Sequence, residues 1–485
     1  MPVAAAELYS RPHEVWEPHQ YQKSSVMFLH AQTSLNPAGK GGGGLFLDCG
    51  MGKTAIVLEW IKQLKEFCLV NRVLVVSPIR PMYNVWPYEI VDWTNFRSLS
   101  YSTIHGSPGV RKKRMAVQSD IHLINREGLP WLAKQVEGKK TLPWQAIILD
   151  ESTSFKNWSA ARTKALRKLI PRIPYRVLMT GTPTPKNLAD LYAQIWMLDE
   201  GEALGDNVTR FREEFCYQVG SREEGNYQVF EEKKAILYNR ISHLVLRLDQ
   251  KDYLSVPPVT VHDVAVELPG PALRHYEDME RDMFIELEHE GNQTAINAAA
   301  KYNACRQISN GGIYGMNRIV HEIHDAKVEA CLDIIEELQG KPVLIAYPYQ
   351  HDADRLAKAI KGLNVIRSGM KAEEHTKLID GWNAGTLKNP HMAVQPKCWA
   401  EGVNLQYGPG RDIIWFGPTD SLLDYLQFNA RVWRQGVSSP VRIHRLACRD
   451  TLDTAMWQKL DAKEDVQSTL LEFLRSYARK KRLVV

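Results

Sequence analysis

The stretch that decides the fold is residues 44–58, Gly-Leu-Phe-Leu-Asp-Cys-Gly-Met-Gly-Lys-Thr-Ala-Ile-Val-Leu. A short apolar run comes first, Gly50 and Gly52 follow, and the remainder has the apolar spacing of a helix. Glycines let a backbone curl around a phosphate, and the amides at a helix N-terminus point toward it. The pattern predicts a strand, a phosphate-binding loop and a helix. Leu47 stands where the full GxxxxGK[ST] pattern has its first glycine, so an ordinary glycine-rich turn remains the alternative.

Lys53 and Thr54 give this loop its chemistry. A lysine at this place can reach the β- and γ-phosphates of a nucleotide, and the threonine hydroxyl can ligate Mg²⁺. We therefore predict an ATP site made by Gly50, Met51, Gly52, Lys53 and Thr54, with Thr54 also a metal ligand.

An acidic pair follows a second apolar run, at Asp150 and Glu151. Ligands bind α/β sheets at the carboxyl ends of the strands, so these carboxylates are expected at the site. Asp150 is predicted to hold Mg²⁺ and Glu151 to orient and deprotonate the attacking water. Acidic residues in such places also serve as helix caps. The phosphate loop favours hydrolysis over that alternative.

Apolar runs bounded by turn formers alternate with helical spacing along both ends of the chain, which predicts doubly wound parallel sheets. The runs are residues 72–77, 120–125, 146–150, 175–180, 342–346, 364–366, 391–394, 412–416 and 441–446. The glycine-rich stretch 39–44 is predicted to be a flexible surface loop before the first strand.

The middle of the chain has a different pattern, because residues 185–250 and 271–340 carry mostly helical spacing. We predict a first α/β lobe at residues 1–200, a helical insertion and connector at 201–335, and a second α/β lobe with a C-terminal helical tail at 336–485.

Composition excludes several classes of protein. The 485 residues carry 61 Lys and Arg against 56 Asp and Glu, a net charge of +5 that permits a polyanion partner without requiring one. The seven cysteines form no CxxC pair, so neither a disulfide framework nor a zinc site is supported. No run approaches the roughly 18 apolar residues of a spanning helix. We expect a cytoplasmic protein that does not enter a membrane.

Three segments taken together resemble motifs I, II and III of superfamily 2 helicases, and specifically of Swi/Snf-type DNA translocases. They are Asp48–Thr54 (DCGMGKT), Asp150–Asn157 (DESTSFKN) and Leu178–Pro183 (LMTGTP). The resemblance implies two tandem RecA-like lobes that bind ATP and Mg²⁺ in the cleft between them.

The resemblance continues in order along the chain. Gln22 stands in the place of the family's adenine-reading glutamine. The resemblance also implies that two arginines of motif VI, Arg431 and Arg434, stabilise charge on the γ-phosphate. Further residues are implied to couple hydrolysis to DNA or to contact its backbone: Ser77 and Pro78 of motif Ia, Thr180, Gly181 and Thr182 of motif III, Gly402 and Asn404 of motif V, and Gln427 of motif VI.

The chain also departs from the family pattern. Where many relatives have a histidine after Asp-Glu-Ala, this chain has Ser152 and Thr153, so the coupling contact of motif II is left open. Pro396 replaces a hydroxyl residue in motif V, and Trp399-Ala400 replaces a pair of glycines. None of these changes removes a group that hydrolysis itself needs.

The function implied by the resemblance is an ATP-dependent DNA translocase or helicase acting on replication, repair or recombination intermediates. Duplex or forked DNA is expected as the partner more than RNA, through sequence-independent backbone contacts. The economy of the chain suggests a minimal motor of bacterial or phage type. Two alternatives stay open: an ATP-controlled DNA clamp or scaffold with vestigial turnover, and an RNA-acting helicase of the same superfamily.

Overall fold

The computed structural model describes residues 14–34, 41–48, 50–181, 183, 188–219, 226–253, 259–288, 292–315, 317, 319–396, 405–433, 437 and 439–462. The chain divides into two compact units, Met1–Leu254 and Ser255–Val485. The segment 201–335, predicted to be a connector, is therefore divided between the units, with residues 201–254 in the first and 255–335 in the second.

In the described part of the first unit, seven strands form one parallel sheet and two form a separate antiparallel hairpin. The sheet strands are β1 Gly41–Leu47, β2 Val73–Ser77, β3 Tyr101–Ile104, β4 Ile121–Asn125, β5 Ala146–Asp150, β6 Tyr175–Thr180 and β9 Val245–Leu248, and the hairpin strands are β7 Cys216–Val219 and β8 Asn226–Val229. The order across the sheet is β3-β4-β2-β5-β6-β1-β9.

Helices cover both faces of this sheet, because its strands are apolar on both sides. Ile147 and Leu149 of β5 enter one hydrophobic core, while Ala146 and Ile148 enter the other. The helices of the unit are α1 Gln20–Ser34, α2 Lys53–Glu66, α3 Ile79–Asn84, α4 Trp86–Asp92, α5 Pro108–Met115, α6 Leu129–Gln135, α7 Ala161–Leu169, α8 Leu191–Asp199, α9 Val208–Phe215, α10 Glu231–Ile241 and α11 Gln250–Tyr253.

The described part of the second unit is built in the same way, on a sheet of six parallel strands. These are β10 Val259–Val266, β13 Val343–Ala346, β14 Asn364–Ile366, β15 Met392–Val394, β16 Asp412–Trp415 and β17 Val441–Cys448, and β11 Gly312–Tyr314 pairs with β12 Val320–Glu322 in a hairpin. The order is β10-β17-β16-β13-β15-β14. The helices are α12 Gly270–Glu288, α13 Asn292–Asn310, α14 Ala326–Glu337, α15 Gln350–Ala359, α16 Ala372–Ala384, α17 Leu422–Asn429 and α18 Leu452–Asp461.

The predicted fold class, two tandem parallel-sheet α/β lobes, is confirmed. Among the residues that the structure describes, no helix is long and apolar enough to cross a membrane.

The prediction of a flexible loop at residues 39–44 is wrong for its described part. Gly41–Gly44 form the first half of β1, pair with β6, and are largely buried. A Cβ on Gly41 would lie 2.2 Å from the carbonyl oxygen of Gln32 on α1, and a Cβ on Gly42 would lie 2.9 Å from that of Leu198 on α8. Glycine is required here because helix and strand backbones approach closely on the two sides of the sheet.

Candidate active site

The predicted phosphate loop connects β1 to α2. Gly50 and Gly52 have φ angles of 88° and 73°, in the left-handed region that glycine adopts at little cost. Gly52 directly precedes α2, which has no side-chain cap at its N-terminus. The first amides of α2 therefore keep the hydrogen-bonding capacity and partial positive charge that suit an anion.

Lys53 begins α2 and turns back over the loop. Its Nζ donates to the carbonyl oxygens of Leu47 at 2.8 Å and Asp48 at 3.1 Å. Thr54 follows in the first turn of the helix. The ammonium group is thus held at the glycine loop and Thr54 lies next to it in sequence, the arrangement that binding of phosphate and Mg²⁺ requires.

Helix α1 supports the loop from outside. The Tyr21 hydroxyl and the Gln22 amide both donate to the carbonyl oxygen of Met51, at 3.1 and 3.3 Å, and Met51 is fully buried. A Cβ on Gly52 would lie 2.5 Å from Nε2 of Gln22. The structure therefore places Gln22 against the phosphate loop, and its contact with adenine stays a prediction.

Asp150 ends β5 and is buried among uncharged donors. Its Oδ2 accepts hydrogen bonds from the Ser77 hydroxyl at 2.8 Å and the Trp86 indole at 3.0 Å. Burial raises the pKa of Asp150, although these two bonds and the charge of Lys53 act in the opposite direction. This carboxylate is therefore short of positive charge, which is the condition that favours a divalent cation.

Trp86 follows the segment that resembles motif Ia, and the structure makes it a direct partner of Asp150. It is fully buried at the start of α4, and its bond to Asp150 spans 64 residues of sequence. Ser77 is also fully buried and faces Asp150, and the neighbouring Pro78 is buried before α3. The contact of these two residues with DNA stays a prediction.

Glu151 has a left-handed backbone conformation that residues other than glycine rarely adopt. Its φ and ψ are 50° and 59°, which costs about 1–2 kcal/mol for a residue with a Cβ. A 3₁₀ turn, Ser152–Phe155, follows, and the Ser154 amide donates to the Glu151 carbonyl at 3.0 Å. Arg126 and Arg162 both bond to Ser154. Such strain persists where the surroundings hold it, and it is typical of functional sites.

The motif III residues adjoin this turn. Thr180 ends β6, whose Met179 is in register with Asp150 of β5, and Thr180 is buried. Gly181 follows the strand, and Pro183 accepts a hydrogen bond from the Gln194 side chain of α8. Gln194 was not predicted, because a glutamine within an apolar helix carries no local functional signal.

In the second unit, the structure describes part of motifs V and VI. Gln427 is buried on α17, and Arg431 follows the end of that helix. The Arg431 carbonyl accepts a hydrogen bond from the Leu405 amide at 3.1 Å, which joins the end of motif V to motif VI. Thr182, Gly402, Asn404 and Arg434 lie outside the described residues.

Comparison with known proteins agrees with this geometry. A match to the SNF2-related domain family spans residues 21–311, more than half of the chain. The chain is also 33% identical over 445 residues to "Putative protein p41" of Acyrthosiphon pisum secondary endosymbiont phage 1, covering 88% of this chain and 93% of that protein. The chain belongs to the SNF2-related family.

More distant SNF2-related proteins include larger ones. The mouse DNA repair and recombination protein RAD54B is 22% identical over 525 residues, and the mouse DNA excision repair protein ERCC-6-like is 28% identical over 210 residues. The match to RAD54B includes 96% of this chain and 57% of the relative, and the match to ERCC-6-like includes 41% of this chain and 16% of the relative. The chain therefore spans only part of the length of these two relatives. A solved Sulfolobus solfataricus SWI2/SNF2 ATPase core in complex with dsDNA aligns over 94% of this chain and 95% of its own, at 20% identity and a TM-score of 0.45.

Membership of the SNF2-related family confirms the predicted resemblance to Swi/Snf-type ATPases and places the chain among ATP hydrolases. The donor set fits ATP with Mg²⁺. Gly52 lets the loop pass close to Gln22, Lys53 and the amides of α2 carry positive charge, and Thr54 and Asp150 are the residues that would hold the metal through oxygen atoms. These residues belong to the first unit.

Proposed function

We propose that this chain is a DNA-dependent ATPase that moves along or remodels duplex or forked DNA. The observation that carries the ATPase proposal is the juxtaposition of three features of the first unit. They are the glycine loop with Lys53, the charge-deficient Asp150, and Glu151 in a strained conformation. The DNA part rests on relatives that are named as DNA repair and recombination proteins.

Each site residue of the first unit has a separate role in the proposed hydrolysis of ATP. The N-terminal amides of α2 and Lys53 bind the phosphates, while Gln22 is proposed to read the adenine. Thr54 and Asp150 would hold Mg²⁺, which supplies neutralisation of phosphate charge when bound. Glu151 orients the attacking water and accepts its proton as the water oxygen bonds to the γ-phosphorus. The bond to the bridging oxygen breaks and leaves ADP.

The second unit is proposed to complete the reaction and to couple it to movement. Arg431 and Arg434 stabilise the charge that develops on the γ-phosphate. Movement then comes from alternating grip on the phosphate backbone, which carries no sequence information. We assign this grip and its coupling to Ser77, Pro78, Thr180, Gly181, Thr182, Gly402, Asn404 and Gln427. The phage origin of one relative is consistent with work in a bacterial or phage-infected cytosol.

The test is steady-state ATP hydrolysis by the purified protein with no nucleic acid, duplex DNA, single-stranded DNA, forked DNA or RNA, beside Glu151→Gln. We expect duplex or forked DNA to stimulate hydrolysis and the substitution to lower it at least about 100-fold. Stimulation by RNA alone would support the RNA-acting alternative. ATP binding without stimulation by any nucleic acid would support the clamp and overturn the motor.

A further inference from the structure

Gln194 is a fully buried polar residue in the middle of the apolar helix α8. Both ends of its side-chain amide are bonded. Oε1 accepts a hydrogen bond from the Ser152 hydroxyl at 2.7 Å, and Nε2 donates to the carbonyl oxygens of Pro183 at 2.7 Å and Asp190 at 3.0 Å. One side chain therefore connects three places in the chain, which are the turn at Ser152, the segment at Pro183 and the start of its own helix at Asp190.

Two of these segments carry the chemistry of the site. Ser152 directly follows Glu151, the residue in the strained left-handed conformation, and Pro183 belongs to the Thr-Gly-Thr-Pro segment after β6. The strands β5 and β6 that precede these segments are neighbours in the sheet. The Gln194 amide thus ties the turn after β5 to the segment after β6, beyond the point where the ladder of strand hydrogen bonds ends.

A second connection joins nearby segments but differs in kind. Lys156 Nζ lies 3.3 Å from Asp190 Oδ2, and both side chains are partly exposed to solvent. An ion pair of this type is screened by water and contributes little. The Gln194 bonds are buried, where an amide whose partners are removed leaves unpaired polar groups. The buried bridge is therefore the connection that can hold the strained turn.

We infer that Gln194 is a positioning residue for ATP hydrolysis, which sets the orientation of Glu151 through Ser152 and links it to the motif III segment at Pro183. This inference rests on the proposed function, since it concerns the same reaction. It also gives a physical role to Ser152, which stands beside the general base where the family pattern differs. Gln194 touches no reacting atom and acts through Ser152.

Three variants separate this role from simple support of the fold. Ser152→Ala removes one hydrogen bond and leaves the helix intact. Gln194→Leu removes all three bonds at nearly constant volume. The double variant removes the same bridge, so its effect is expected to be no larger than that of the worse single variant. Lys156→Ala is the matched control, because it breaks the exposed connection between the same segments.

We expect Ser152→Ala and Gln194→Leu each to lower kcat for ATP hydrolysis about tenfold, since a small misplacement of a catalytic group is costly. KM for ATP should change less than about twofold, because the phosphate loop is untouched. Lys156→Ala should stay within about twofold of the wild type. Wild-type kcat in Ser152→Ala, equal losses in Lys156→Ala, or single effects that multiply in the double variant would each overturn the inference.

The same assay distinguishes this inference from the proposed function. A wild-type protein that hydrolyses ATP without stimulation by DNA contradicts the proposed motor. In that case the ratios between variants are read on the DNA-free rate, and they still test Gln194. If DNA stimulates the wild type but Ser152→Ala and Gln194→Leu hydrolyse ATP as fast as the wild type does, the motor is supported and the positioning role is rejected.

Discussion

Asp150 in the first unit and Asp412 in the second are both buried carboxylates on the terminal residue of a parallel strand, Asp150 the last and Asp412 the first, but their partners differ in charge. Asp150 ends β5 and accepts bonds from two neutral groups, the Ser77 hydroxyl and the Trp86 indole. Asp412 begins β16 and accepts from Arg442 Nε at 2.7 Å and Nη2 at 2.8 Å, with His444 Nε2 at 3.1 Å. No ion pair to Asp150 occurs among the residues that the structure describes.

The difference between the partners shifts the pKa values of Asp150 and Asp412 in opposite directions. Burial raises the pKa of Asp150, and the neutral donors with the nearby charge of Lys53 do not reverse the effect. Burial acts in the same direction on Asp412, but the bonds from His444 and Arg442 outweigh it and lower the pKa. The chain itself supplies the positive charge that Asp412 needs. Asp150 lacks such a partner, and it lies at the carboxyl end of its strand, where α/β sheets bind ligands.

The largest effect that separates the two residues is expected for Asp150→Asn. Removing a metal-binding carboxylate should lower ATP hydrolysis by about 100-fold or more. The same change should raise the free energy of unfolding by about 1 kcal/mol, because a neutral amide relieves the cost of a buried charge. Hydrolysis assays and urea denaturation measure the two quantities. A variant that is less stable than the wild type would show that Asp150 serves the fold rather than the site.

Asp412→Asn is expected to have the opposite profile. It removes the negative charge and one of the two oxygens that Arg442 and His444 bond to. The free energy of unfolding should therefore fall by about 2 kcal/mol, a value reduced because Arg442 is partly exposed. Hydrolysis should stay within about twofold of the wild type at a temperature where the variant is folded. The measurement is urea denaturation followed by tryptophan fluorescence. Loss of hydrolysis in a fully folded variant would remove the distinction between the two carboxylates.

The sequence predicted the strands around Asp150 well, for a simple physical reason. The observed bounds of β5 and β6 are those predicted, Ala146–Asp150 and Tyr175–Thr180, because strands buried on both faces are continuous apolar runs. The placement of Lys53 beside a glycine loop and of Asp150 at a strand end followed from the same local patterns.

What the sequence could not predict depends on distant neighbours. Gly41–Gly44 look like a loop locally, but they pair with β6 as a strand, and the close approach of α1 and α8 explains why glycine stands there. The bond from Trp86 to Asp150 spans 64 residues, and the bond from Ser152 to Gln194 spans 42. No spacing rule connects such pairs, because their contact is set by the order of strands in the sheet.

The smallest expected effect is a difference in the pH dependence of stability. A folded pKa above the ordinary Asp value of about 3.9 means that the folded state keeps the Asp150 proton to higher pH than the unfolded state does. Asp150 therefore costs stability as the pH rises from the unfolded value through the folded one. For Asp412 the folded pKa is lower, so its contribution is present above the unfolded value and is lost as the pH falls through the folded value.

The two variants should therefore diverge from the wild type in opposite directions as the pH rises from about 3 to 7. The advantage of Asp150→Asn over the wild type should grow from near zero to its full size of about 1 kcal/mol, while the deficit of Asp412→Asn should grow toward about 2 kcal/mol. Urea denaturation at several pH values measures both differences. Differences that are constant with pH would mean that the charges of the two carboxylates are not what distinguishes them, and that the packing of Ser77 and Trp86 around Asp150 decides its role.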